Sequence, residues 1–117
     1  MRIFSKLFVA VWMLSISGAA WAHTTITTSN IEDGAEYAAA PETFDFSFGA
    51  EVGLADLDLE TLAGKSVAID FNRPDSMGKD FSVPLPTLEI GVYILKWRAV
   101  AKDGHVMKGE VDFTITG

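Results

Sequence analysis

From Thr24 to the C-terminus, large apolar residues tend to occupy every second position. Where they alternate strictly with polar residues, they predict strands that have one buried side and one side facing water. These alternating runs are 43–48, 66–71 and 110–116. The segment VYILKWRAV, at 92–100, is apolar on both faces through most of its length. That pattern predicts a central strand.

Turn-forming residues separate these runs, at Asp33-Gly34, 72–75, Pro84 with Pro86, and Asp103-Gly104. Short strands with turns at such spacing favour an antiparallel β-sandwich or small barrel. Within the sandwich, the spacing of Leu88, Gly91 and Tyr93 is that of a tyrosine corner, in which the phenol bonds nearby backbone. The segment 51–64 leaves two structures open, a short helix or a strand that ends in a turn at Gly64.

The N-terminus has the three regions of an export signal. Met1 to Lys6 carries two positive charges, an apolar run follows, and Ala20-Trp21-Ala22 fits the small-x-small rule of signal peptidase. The apolar run is shorter than the roughly 20 residues of a membrane span, although a retained anchor is the competing interpretation. We therefore expect residues 1–22 to be a cleaved signal peptide, and residues 23–117 to form one exported domain in the periplasm.

Charge and cysteine content limit the partners and the metal ligands that the domain can have. Removal of residues 1–22 takes away two of the nine basic residues and none of the sixteen acidic ones, so the net charge changes from −7 to −9. An acidic surface argues against nucleic acid or an anionic membrane as the main partner. The sequence has no cysteine, so disulfides cannot stabilise the domain, and a metal site has to use nitrogen, oxygen or thioether donors.

Cleavage after Ala22 gives His23 a free backbone amine beside its imidazole. These two nitrogens can chelate one metal ion, and the amine loses its proton readily because its reference pKa is about 7.7–8.0. Together with a second imidazole and a carboxylate, such a chelate forms a nitrogen-rich site that suits Cu(II). The alternative is that His23 is simply a solvated residue at a tolerant terminus.

The second histidine, His105, lies in the segment KDGHV. A hairpin turn alone is enough to explain the presence of Asp103 and Gly104. A histidine in a loop is more often a solvated side chain than a metal ligand. However, if the backbone is extended there, the i, i+2 spacing directs the side chains of Asp103 and His105 to the same side. A carboxylate and an imidazole then converge. Met77 and Met107, the only methionines after residue 22, are too few to indicate a Cu(I) site.

Three segments together resemble the CopC family of periplasmic copper-binding proteins. They are HTTITTSNIEDGAEYAAAPETFDFSF after the predicted cleavage site, IGVYILKWRAV, and KDGHVMKGEVDFTITG. The last two are similar to the family patterns Gly-x-Tyr-x-Val-x-Trp-Arg-Val-Val and Asp-Gly-His-Pro-Val-x-Gly-x-Phe-x-Phe. The likeness covers nearly all of residues 23–117 and is most specific in WRAVAKDGH combined with the N-terminal histidine.

The resemblance implies an all-β fold, a seven-stranded Greek-key β-sandwich of the immunoglobulin-like or cupredoxin-like kind. It implies a monomer that binds one Cu(II) through His23, Asp103 and His105, and that is not an enzyme. The expected function is copper homeostasis and resistance, by storing copper or passing it to a transport protein in the inner membrane.

The sequence departs from the family pattern at several positions. Val106 replaces the usual proline, the methionine-rich loop of some members is missing, and Ala50 with Glu51 stands where many members have a glutamate after Phe-Ser. Two other functions stay open. One is an oxidative enzyme that uses a histidine chelated through its own amine, and the other is a metal-free periplasmic binding sandwich.

Overall fold

The structure, a computed structural model, describes residues 26–117. Seven β-strands and no helix occur in this range, which confirms the all-β prediction. Their bounds are β1 Ile26–Ser29, β2 Ala35–Tyr37, β3 Thr43–Thr61, β4 Ser66–Val67, β5 Gly78–Pro84, β6 Gly91–Ala101 and β7 Val106–Ile115. Between residues 26 and 117 there is consequently no helix that could cross a membrane. The predicted signal peptide and His23 lie outside the described residues.

The long strand β3 belongs to two layers. Its first half pairs antiparallel with β1 on one side and with β5 on the other, while its second half pairs with β6 and β4. The β3–β5 register is irregular between Ser47 and Val52, where the pairing changes over. A strand that changes partners in this way makes a corner between two packed sheets, which is the sandwich architecture that the sequence predicted.

Strand β6 is central, as its two-sided apolar character predicted. It pairs with β3 on one edge and with β7 on the other, while β2 adds to β7 in parallel. Because β6 and β7 form one hairpin, the loop between them projects from an end of the sandwich. This hairpin carries Asp103 and His105.

The core is rich in aromatic rings supplied by the alternating positions of β3. Phe44, Phe46 and Phe48 are buried, and the rings of Phe44 and Phe46 stack with centroids 4.4 Å apart. Phe48 also packs edge to face against Trp97 of β6, with the ring centroids 5.4 Å apart. This contact packs the first half of β3 against β6. Full burial of a phenylalanine side chain stabilises a fold by about 1.5–3 kcal/mol.

Segment 51–64 is a strand up to Thr61 and then a turn. The amide of Gly64 donates to the carbonyl of Thr61 at 2.8 Å, and Gly64 has a φ of +91°. Both Leu54 and Leu57 are buried although they are three residues apart, because a register shift between Leu54 and Asp56 restores the inward orientation. This bulge explains why the sequence pattern could not separate a strand from a helix.

Two further predictions concern the middle of the chain. The alternating run 66–71 is a strand only at Ser66–Val67, so the predicted strand is too long. Its pairing with β3 ends at Leu59↔Val67, although Ile69 and Phe71 still pack on the core. The tyrosine corner is confirmed, since the hydroxyl of Tyr93 donates to the carbonyl of Glu89 at 2.8 Å.

Candidate metal centre

The β6–β7 hairpin has a short loop that glycine makes possible. The amide of Gly104 donates to the carbonyl of Ala101 at 2.9 Å, and the amide of Ala101 donates to the carbonyl of His105, also at 2.9 Å. Gly104 has a φ of +90°, in the left-handed region that suits a residue without Cβ. A turn followed by one left-handed residue is a common three-residue hairpin connection. It holds Asp103 and His105 on the same tip.

The structure brings Asp103 and His105 together, but through a turn with a left-handed Gly104 and not through the extended backbone on which the prediction depended. Oδ2 of Asp103 lies 2.7 Å from Nδ1 of His105. The backbone N–H of His105 donates to Oδ1 of the same carboxylate at 3.1 Å. Both oxygens of Asp103 therefore face one histidine, and the pair offers a carboxylate and an imidazole at a single point.

These hydrogen bonds favour the ionised form of Asp103. The backbone N–H of His105, and then its imidazole, stabilise the carboxylate and lower the pKa of Asp103 below its ordinary value. The two side chains are nevertheless open to solvent, with 83% of His105 and 64% of Asp103 exposed. The pair therefore consists of an ionised carboxylate and an imidazole that a solvated metal ion can reach.

A groove of about 540 Å³ adjoins Asp103. One wall comes from the corner of β3 and the other from the β6–β7 hairpin, where Met107 lies. At its rim, Nζ of Lys102 lies 3.2 Å from Oε1 of Glu51. The sequence pattern did not predict this groove. The opposite charges of Glu51 and Lys102 are a signal for it, but only the β3–β6 register shows that the two residues meet.

The remaining predicted ligand, His23, lies outside the described residues. Within 26–117, no three His, Asp or Glu side chains are grouped closely enough to hold a metal ion. Met107 is partly buried against the core, whereas Met77 is exposed in the loop before β5. The described residues thus provide one pair of donors, Asp103 and His105.

Comparisons with known proteins agree with this fold. The CopC domain model matches residues 26–116. Copper resistance protein C of Xanthomonas campestris pv. juglandis is 31% identical over 109 residues, which cover 85% of this chain and 84% of that protein.

Two solved structures have a similar fold. CopC from Methylosinus trichosporium OB3b superposes with a TM-score of 0.64 at 22% identity, covering 80% of this chain and 94% of its own. PcoC from Escherichia coli, described as a methionine-rich copper resistance protein, superposes with a TM-score of 0.63 at 25% identity, covering 81% of this chain and all of its own. The domain match and the curated relative extend over most of the sequence, and the chain belongs to the CopC family.

Proposed function

We propose that this chain is a periplasmic Cu(II)-binding protein of copper homeostasis, which stores one copper ion or passes it to a transport partner in the inner membrane. The proposed site consists of His23, Asp103 and His105. The observation that carries the proposal is the 2.7 Å contact between Asp103 and His105 at the tip of the β6–β7 hairpin, in a chain of the CopC family.

The chemistry of His23 supports copper as the cargo. Cleavage after Ala22 converts its backbone nitrogen from an amide, whose lone pair is delocalised into the carbonyl and is a poor metal donor, into an amine, which is a good one. The amine, the His23 imidazole and the His105 imidazole make a nitrogen-rich set of donors. Among divalent first-row ions, Cu(II) binds such sets most strongly and favours tetragonal geometry.

The register of β1 supports a site that combines the N-terminal residue His23 with the β6–β7 loop. Ile26 lies opposite Phe48, and β1 runs antiparallel to β3. The strand β1 therefore begins beside Phe48, next to residues 49–51, the corner that forms one wall of the groove beside Asp103. His23 precedes Ile26 by three residues, which span at most about 10 Å when extended.

The relatives and the charge of the domain support the same function. The curated relative is named a copper resistance protein, as is the Escherichia coli structure. The acidic composition attracts cations. An inner-membrane copper transporter as partner rests on the family resemblance alone.

Competitive Cu(II) titration of His105→Ala tests this function. We expect the variant to lose most of its Cu(II) affinity, because one of the two imidazoles is gone. Glu89→Ala, an exposed change at the far end of β6, provides a control that should bind like the unmodified protein. Unchanged affinity in His105→Ala would instead favour a metal-free binding sandwich.

A further inference from the structure

We propose that Met107 is a ligand for Cu(I), which this chain binds between the thioether of Met107 and the imidazole of His105. This inference goes beyond the proposed function, which concerns Cu(II) alone, and it shares His105 with that function. The number of methionines after residue 22 does not indicate a Cu(I) site, whereas the placement of Met107 in the β6–β7 hairpin does.

Met107 occupies the same side of the hairpin strand as His105. Side chains alternate along a strand, so residues two apart project from one face, with their Cα atoms about 7 Å apart. Along β7, Met107 packs against the core, while Val106 and Lys108 on either side of it are exposed. The amide of Ala101 donates to the carbonyl of His105 at 2.9 Å, so the pairing of the hairpin extends to His105. The thioether and the imidazole are therefore neighbours on one face.

The groove beside Asp103 connects these two donors. Met107 and Asp103 both line the groove, and Oδ2 of Asp103 lies 2.7 Å from Nδ1 of His105. The volume of about 540 Å³ leaves space in which the Met107 side chain can move. Methionine is unbranched and has three rotatable bonds, so its sulfur can turn towards the ring. An ion held by His105 is consequently within reach of a thioether.

The walls of the groove suit the lower charge of Cu(I). Phe48 and Val52 line it, and both are buried apolar residues. The cost of taking an ion out of water rises steeply with its charge, so an apolar wall penalises a singly charged ion less than a doubly charged one. At the rim, the paired charges of Glu51 and Lys102 offset each other. On the groove side of His105, Cu(I) is accordingly favoured over Cu(II).

Sulfur is the donor that distinguishes the two oxidation states of copper. Thioethers are soft ligands that select Cu(I), whereas carboxylate oxygens suit harder ions. The sequence has no cysteine, so a thioether is the softest donor that this chain offers. The family pattern Asp-Gly-His-Pro-Val has valine at the position of Met107, and a valine side chain has no donor atom. The thioether beside His105 is thus a feature of this chain rather than of the pattern.

Met107→Leu tests the assignment in protein purified after export, with Met77→Leu as the matched control. Leucine has nearly the volume of methionine, and cores tolerate this exchange well; thermal unfolding verifies that both variants are folded. Met77→Leu removes the same thioether from the exposed loop before β5, a strand that β3 and β6 separate from β7. Competition with a chromogenic Cu(I) chelator, under anaerobic conditions with ascorbate, measures Cu(I) affinity.

We expect Met107→Leu to lose most of its Cu(I) affinity and to bind Cu(II) like the unmodified protein. Met77→Leu should match the unmodified protein with both ions. Absence of Cu(I) binding in the unmodified protein would overturn the assignment, and so would equal Cu(I) affinities in the two variants.

X-ray absorption spectroscopy of the Cu(I)-loaded protein identifies the donor directly. Copper should have a sulfur neighbour in the unmodified protein and in Met77→Leu, and none in Met107→Leu. A coordination sphere without sulfur in the unmodified protein, or sulfur that persists in Met107→Leu, would contradict the assignment. If the unmodified protein binds Cu(I) through sulfur and does not bind Cu(II), the result supports the assignment and counts against the proposed function alone.

Discussion

The indole of Trp97 lies directly over Gly109, its partner across the β6–β7 hairpin. A Cβ placed on Gly109 would lie only 2.7 Å from Cζ2 of Trp97, closer than carbon atoms approach in proteins. The same ring also packs edge to face against Phe48. Because Gly109 has no side chain, it leaves room for the ring of Trp97. Both residues belong to the hairpin that also carries the candidate site.

Gly109→Ala should accordingly destabilise the domain. The added methyl group has to displace a rigid, packed ring, and overpacking of this kind costs about 1–3 kcal/mol. For a domain of this size, each kcal/mol lowers the midpoint of thermal unfolding by about 4–8 °C. Calorimetry measures the shift. Gly53→Ala is the matched control in a neighbouring strand, because its Cβ would be no closer than 3.8 Å to another group; equal midpoints in the two variants would contradict the packing account.

The tyrosine corner gives a second prediction about stability. Tyr93→Phe removes the hydroxyl that donates to the carbonyl of Glu89 at 2.8 Å, while the ring keeps its stack on Phe113. A lost hydrogen bond of this type costs about 0.5–1.5 kcal/mol. Chemical denaturation should show this loss in the free energy of unfolding, without a change in the slope of that free energy against denaturant concentration. If the variant is as stable as the unmodified protein, the hydrogen bond of the tyrosine corner does not stabilise the fold.

Gly104→Ala should affect both stability and copper binding. A left-handed conformation costs a residue with a side chain about 1–2 kcal/mol, and relaxation of the turn would move Asp103 away from His105. We expect a lower free energy of unfolding and weaker Cu(II) binding in competitive titration.

Gly64→Ala separates these two effects. Gly64 has a φ of +91° in the turn after β3, so its replacement should cause a similar loss of stability. The proposed copper site does not include this turn, and Cu(II) affinity should be retained. Equal losses of affinity in the two variants would show that affinity follows global stability rather than the shape of the β6–β7 loop.

The Asp103–His105 contact has a defined pH dependence. Because hydrogen bonds from His105 lower the pKa of Asp103 in the folded protein, the contact stabilises the fold above the ordinary aspartate pKa. That contribution is lost only as the pH falls through the lowered value. Titration of the carboxyl carbons by NMR should show Asp103 protonating below the ordinary aspartate pKa. His105→Ala should raise the pKa of Asp103 only in part, since the backbone N–H remains; an Asp103 midpoint at the ordinary aspartate value in the unmodified protein would contradict the contact.

Local patterns were enough to predict much of this fold. Strict alternation at Phe44, Phe46 and Phe48 identified the inner face of β3, and the residues around Tyr93 identified the corner. The two-residue spacing of Asp103 and His105 predicted their contact, although a turn and not an extended backbone produces it. Each of these features depends only on residues close together in the chain.

Other features depend on residues that are far apart in the sequence. The bulge at Leu54–Asp56 is set by the register with β6, so the sequence left a strand and a helix both open. The groove beside Asp103 joins the corner of β3 to the β6–β7 hairpin, and the space over Gly109 is defined by a tryptophan on the facing strand. The predicted meeting of His23 with Asp103 and His105 is of the same kind and stays a prediction.

The most direct test of the copper site is a change to one peptide bond. Competitive Cu(II) titration would compare protein that begins at His23 with protein that carries one additional residue before it. We predict that the extension weakens Cu(II) binding by more than about tenfold, or ~1.4 kcal/mol, because the terminal amine becomes an amide and the chelate is lost. Equal Cu(II) affinity in the two proteins would contradict a site built on the amine of His23.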